Sequence, residues 1–159
     1  MLEAIEASYF GKMLVTFVVS MAPVVELRGG IPFGAALGLD PLSAAAAAVL
    51  GNLVPVPFII LFVRYVFAWL KRFPRLGSLV ERMEKKAHLK SRTVMKYQKV
   101  GLCILVAIPL PGTGAWTGAL VAAIMDMRLK RAVPPIVAGV LIAAGIVSCI
   151  TYGLIAALF

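Results

Sequence analysis

Charge is scarce in this chain. Asp, Glu, Lys and Arg make up 14% of its 159 residues, where a soluble domain carries about 25%. The hydrophobic share is 62% and the mean hydropathy is +0.99. A soluble domain of this size leaves about a third of its extended-chain surface in water, and so few polar residues could not cover it. Soluble globular and disordered classes are excluded. Cysteine is also short. Cys103 and Cys149 both sit in apolar runs, so they imply neither a disulfide scaffold nor a metal site and read as small buried hydrophobes. The single histidine, His88, lies among lysines. Metal-ligand spacing, a GxSxG elbow and a P-loop are all missing. The chain reads as a non-enzyme with no cofactor and no metal. What remains is an all-α integral membrane protein, with residues 1–159 as a single transmembrane domain.

What charge there is lies in a few places. Lys and Arg number 16 against 7 Asp and Glu, a net +9. Eleven of the 16 fall between Arg64 and Lys99, and Arg128, Lys130 and Arg131 form a second cluster. Basic residues gathered in the connections of a membrane protein report orientation, so nucleic acid is not an expected partner. The N-terminal stretch carries Glu3 and Glu6 and lacks the basic region of a secretory signal.

Four apolar stretches follow one another: Met13–Leu39, Leu42–Leu70, Val100–Met125 and Ala132–Phe159. About 20 apolar residues in a helix cross the hydrocarbon, so the second and fourth are plain transmembrane helices. The first and third are broken near the middle by Pro23-Val-Val-Glu-Leu-Arg-Gly-Gly-Ile-Pro32 and by Ile108-Pro-Leu-Pro-Gly-Thr-Gly-Ala115. Proline removes a helical hydrogen bond and adjacent glycines lower helix propensity. Each broken stretch is either a kinked crossing or a re-entrant hairpin. The hairpin alternative puts both basic clusters on the cytoplasmic face, as positive-inside statistics prefer. It also yields an inverted repeat, each half a re-entrant helical hairpin followed by a long transmembrane helix. Repeat 1 then covers about 12–70, a basic cytoplasmic connector 71–99, and repeat 2 about 100–159. Rough pairings are Gly29 and Gly34 with Gly114 and Gly118, Asp40 with Asp126, and Gly51 with Gly139. Within the connector, Leu76, Leu79, Val80, Met83 and Ala87 fall at helical spacing among basic residues. That pattern fits either an amphipathic helix on an anionic leaflet or a solvated basic linker.

Glu26 and Arg28 stand inside an apolar stretch. A charge at membrane depth costs about 2.5–3.5 kcal/mol on insertion scales, so such residues face a cavity or a partner. Gly29-Gly30 and Gly112-Thr113-Gly114 each precede an expected short helix. A half-helix N-terminus offers free N–H groups and partial positive charge, and glycine lets a ligand approach. Together with Arg28 these form an anion-binding constellation. The glycines fit tight turns and close packing equally well. Trp116, two residues beyond Gly114, either lines the cavity or fills the core. Asn52 is expected to bond a neighbouring helix, and Asp40 and Asp126 to cap helix starts.

The segments Glu26-Leu-Arg-Gly-Gly-Ile-Pro32 and Pro109-Leu-Pro-Gly-Thr-Gly-Ala-Trp-Thr-Gly118 resemble the small multidrug export family of short prokaryotic membrane proteins. The resemblance runs over nearly the whole chain and implies efflux. More distantly the chain is similar to the DedA group, whose paired re-entrant hairpins carry embedded acidic and arginine residues. That similarity implies proton-coupled handling of lipid-linked phosphates, with Glu26 as the embedded acid and Arg28 as the embedded arginine.

Three functions are carried forward. The first is a secondary transporter or lipid flippase for an anionic, polyprenyl-phosphate-like substrate. Its expected site residues are Glu26, Arg28, Gly29, Gly30, Gly112, Thr113, Gly114 and Trp116, with Glu26 exchanging a proton. The second is a small multidrug exporter of lipophilic cations anchored by Glu26. The third is a non-transport scaffold. Expected partners are an anionic lipid or small-molecule substrate, membrane lipids and a second copy in a homodimer. The expected location is the prokaryotic inner membrane, with a multi-pass chain.

Overall fold

The structure, a computed structural model, describes residues 8–70, 91–110 and 112–158. The part of the basic connector at 71–90, including its amphipathic pattern and His88, lies outside them. Seven helices make up the described chain: α1 (Tyr9–Ser20), α2 (Glu26–Ala36), α3 (Pro41–Leu53), α4 (Pro55–Leu70), α5 (Ser91–Ala107), α6 (Ala115–Ile124) and α7 (Leu129–Leu158). Among the described residues there is no strand, so the expected all-α class holds. Two stretches, Pro41–Trp69 and Leu129–Ala157, have 29 residues each, long enough to cross a bilayer, and each contains an 18-residue window with a mean hydropathy of 2.3. The first is α3 and α4 in near-continuous succession. Pro55 has no N–H to give the Gly51 carbonyl, so the helix lapses at Val54 and restarts with Pro55 in its first position. α5 begins at Ser91, well inside the stretch expected to be connector.

The first broken stretch folds back on itself. A β-carbon built on Gly30 would lie 3.0 Å from that of Ser20, one on Gly34 3.1 Å from Thr16, and one on Gly38 3.7 Å from the Lys12 ammonium. The partners step by four in opposite directions, as two antiparallel helices must. Tyr9 and Asp40 close the open end with a hydrogen bond. The second stretch does the same: a β-carbon built on Gly118 of α6 would lie 2.5 Å from Val106 and 3.7 Å from Leu102, both on α5. Glycine and alanine permit these approaches, because a larger side chain would hold the backbones apart. The break between α1 and α2 is shorter than the sequence suggests. It ends at Val25, and Pro32 is accommodated within α2.

Both hairpins end in the same turn. After α2, the N–H groups of Gly38 and Leu39 donate to the carbonyls of Ala35 and Gly34; after α6, those of Asp126 and Met127 donate to Ala123 and Ala122. Gly38 thus corresponds to Asp126, Gly30 to Gly118 and Gly51 to Gly139, each pair 88 positions apart. The first arms run 86 apart: Gly51 lies against the Phe17 backbone and Gly139 against that of Cys103. The second break, 108–114, is two residues longer than the first, 21–25. That insertion is why the pairings of Gly29 and Gly34 with Gly114 and Gly118, and of Asp40 with Asp126, are incorrect.

The two turns sit at opposite ends of the molecule. Arg64 lies 24 helical positions beyond Asp40, about 36 Å along the axis, and forms an ion pair with Asp126 at 2.9 Å. Tyr152, equally far beyond Arg128, donates to the Leu39 carbonyl at 2.7 Å. Each long helix packs on its own hairpin and on the second arm of the other, α4 on α6 and α7 on α2. Leu27, Ile31, Val56, Ile60, Val106 and Ile136 fill the centre with 2% exposure or less.

Candidate functional site

The two breaks meet in the middle of the fold and satisfy one another. Glu26 opens α2 with a left-handed φ of 49°, which strains a residue with a β-carbon by roughly 1 kcal/mol or more. Its N–H donates to Ala22 at 2.9 Å, starting the helix there. Its carboxylate crosses to the other hairpin and accepts the Trp116 N–H at 3.2 Å. Trp116 is the second residue of α6, so the acid sits where a helix presents free N–H groups and the positive end of its dipole. Gly114 makes this possible. Its φ of 144° suits glycine, and a β-carbon there would lie 2.7 Å from the Glu26 carboxyl carbon. The Trp116 indole returns the contact, donating to the Met21 carbonyl at the end of α1 at 3.2 Å.

Arg28 serves the opposite polarity. One terminal nitrogen donates to the carbonyls of Leu110 and Thr113. The other donates to the Ile108 carbonyl at 2.9 Å and the Thr113 hydroxyl at 3.0 Å. The Thr113 hydroxyl donates in turn to Ile108 at 2.7 Å, and Thr117 donates to Gly112 at 2.9 Å. A non-helical backbone inside a fold must find such partners, and one guanidinium reaches three of the carbonyls. A cavity of about 650 Å³ adjoins the junction; Glu26, Arg28, Gly29, Gly112, Thr113 and Thr117 are among its lining.

The structure therefore brings together Glu26, Arg28, Gly29, Gly112, Thr113, Gly114 and Trp116. Gly30 is apart from them, packed between Ser20 and Ala48. Gly29 and Gly30 do not precede α2 but lie inside it, because Glu26 starts the helix three residues earlier. Glu26 and Arg28 do not pair; the ion pair found among the described residues is Arg64–Asp126. Rather than lying open to one ligand, both are engaged with backbone groups of the second break. Asp40 does cap α3, accepting the Ser43 N–H at 3.1 Å. Asp126 is no cap: it lies in the turn after α6 with a φ of 50° and turns its carboxylate to Arg64. Asn52 also departs from expectation. It is fully buried, and neither amide atom has a hydrogen-bond partner. The carbonyls that Arg28 holds were invisible in the sequence, since backbone acceptors carry no residue code.

Among known protein families, residues 26–146 match the one described as "Putative small multi-drug export protein". No curated protein and no solved structure matches the chain.

Proposed function

The chain belongs to this small multi-drug export family, and on that footing we propose that it is a membrane transporter whose working centre is the junction of the two breaks. The observation that carries the reading is the Glu26 carboxylate at the N-terminus of α6. There it occupies the place that a substrate anion would seek. A proton on Glu26 removes its charge and weakens its hold on the Trp116 N–H. The N–H groups of α6 then become available to an incoming anion. Proton and anion load together, so the buried site never carries an unbalanced charge, whose cost at this depth is high. The adjoining cavity offers apolar walls at Pro23 and Val25 for the greasy part of an amphiphilic substrate such as a polyprenyl phosphate. In this reading the hairpins are re-entrant from opposite faces, an inverted repeat. The basic connector and the Arg128 cluster face the cytoplasm, and two full crossings with two hairpins form a homodimer to complete the pathway.

One observation favours a second reading. The carbonyls of Ile108, Leu110 and Thr113 already bind a cation, the Arg28 guanidinium. A lipophilic cation competing for them, with Glu26 as counter-ion, would make the protein an exporter of cationic compounds.

Proteoliposomes distinguish the two. With a pH-sensitive dye inside, a short polyprenyl phosphate is expected to drive proton movement in the wild type and none in Glu26→Gln. Movement driven by ethidium and not by the phosphate would establish the cationic reading; movement with neither probe would reject transport of both classes.

A further inference from the structure

Among the described residues, Asn52 is the one fully buried side chain whose donor and acceptor both lack partners. α2 and α3 fix its neighbourhood. A β-carbon on Gly34 would lie 3.1 Å from that of Ala44, and one on Gly30 3.4 Å from that of Ala48. The helices are antiparallel, so the next step of four in each direction sets Asn52 level with Glu26. We propose that Asn52 is the receptor for protonated Glu26, a second station for the acid on the opposite side of α2 from the α6 N-terminus. This deepens the transport reading and rests on Glu26 exchanging a proton.

The chemistry is complementary. A primary amide presents an N–H donor beside a carbonyl acceptor. A neutral carboxylic acid presents an O–H donor beside a carbonyl acceptor, so the two close a pair of hydrogen bonds. A carboxylate only accepts and can make just one of them. The charged acid belongs on α6, where the helix dipole favours it. The neutral acid loses that preference and gains two bonds at Asn52. The backbone is built for the exchange. In the present arrangement the left-handed φ of Glu26 accompanies a side chain directed at Trp116. Rotation to the ordinary helical φ makes the first residue of α2 regular and lays the side chain on the face that carries Gly30 and Gly34, toward α3. The added proton remains on Glu26 throughout and is donated to the Asn52 carbonyl oxygen, while the Asn52 amide donates to the Glu26 carbonyl oxygen. The N-terminus of α6 is left open to substrate.

Few other charges bear on this exchange. α1, α3 and α7 pack against α2. Their groups on the near side are Lys12, beside Gly38, Asp40, bonded to Tyr9, and Tyr152, bonded to Leu39. All three stand about three to four helical turns from Glu26. Lys130 and Arg131 open α7 at its other end, next to the Asp126 turn. Arg28 alone is close, and its terminal nitrogens are committed to the second break.

Infrared difference spectroscopy on the full chain in lipid bilayers tests the proposal, with pH as the only perturbation. The carbonyl stretch of a neutral carboxyl is assigned to Glu26 by its loss in Glu26→Gln. Asn52→Val is expected to raise its frequency, because a hydrogen-bond partner is gone, and to make it appear about one pH unit lower, a tenfold weaker hold on the proton. Asn52→Ser, which retains one hydroxyl, is expected to shift both in the same direction by less, and it decides the matter if Asn52→Val does not fold. A Glu26 band that keeps its frequency and midpoint in the folded variants overturns the role of Asn52 alone. A wild type with no Glu26 band at any pH overturns proton exchange at Glu26 and this proposal with it.

Discussion

Arg28 answers a need of the backbone before it answers any ligand. Its terminal nitrogens meet three carbonyls and a hydroxyl of the second break. Arg28→Lys keeps the charge but replaces a planar fork with a single ammonium. At least one acceptor then loses its donor, and thermal unfolding in detergent should show a loss of about 1–3 kcal/mol. Gly114→Ala tests the other contact. The new methyl collides with the Glu26 carboxylate and forces a glycine-only φ, so substrate-driven proton movement should fall at least to about a tenth, the effect of some 1.4 kcal/mol. Asp40, exposed and just before the long apolar span Pro41–Trp69, is a single residue on which pH acts. The Tyr9 hydroxyl foremost, then the Ser43 N–H and hydroxyl, lower its carboxyl to about 2. A depressed folded value means a stabilising contribution that is complete above the unfolded value of about 3.9 and is lost as pH falls toward 2. Melting temperatures measured from pH 5 down to 2 should therefore fall less steeply in Asp40→Asn than in the wild type.

Among the helices, close backbone contact replaces the hydrophobic drive that lipid denies. Gly51 and Gly139 are the matched examples, with added β-carbons meeting the Phe17 carbonyl carbon at 2.9 Å and the Cys103 carbonyl oxygen at 2.7 Å. Neither neighbour can move without moving its helix. Gly51→Ala and Gly139→Ala should each cost roughly 1–3 kcal/mol, measured by unfolding in detergent. The turn after α6 invites a paired test. Asp126 holds a left-handed φ where its counterpart is Gly38, and its partly exposed ion pair with Arg64 is worth no more than about 1 kcal/mol. Asp126→Gly exchanges that pair for relief of strain and should be near neutral, while Asp126→Ala loses the pair and keeps the strain. Unequal stability of the two variants, glycine above alanine, is the expected result. Much of this was legible beforehand. The long helices, the two breaks and the polar residues within them follow from hydropathy and from Pro23, Glu26, Arg28 and Pro109. The register was not, because glycines recur too often for spacing alone to pair them. Nor was the commitment of Glu26 and Arg28 to backbone groups, which only the meeting of the two hairpins creates. The partnerless state of Asn52 was equally hidden, since a lone amide in an apolar run reads as an ordinary interhelical bond.

For the molecule as a whole, the Asp40 and Asp126 turns lie about 36 Å apart along the long helix that joins them, more than the roughly 30 Å hydrocarbon thickness. Single cysteines at positions 40 and 128, in a chain with Cys103 and Cys149 replaced, should react with impermeant reagents from opposite sides of the bilayer. Labelling of both from one side would contradict the arrangement. The two halves otherwise match closely, down to Arg64 and Tyr152 holding the opposite turns. Between the arms of the hairpins they differ in length, by the two extra residues of the second break. The acid and the guanidinium both come from the hairpin with the shorter break, while the groups they hold come from the longer one and the helix it opens, so exchanging the two halves would leave the centre unbuilt.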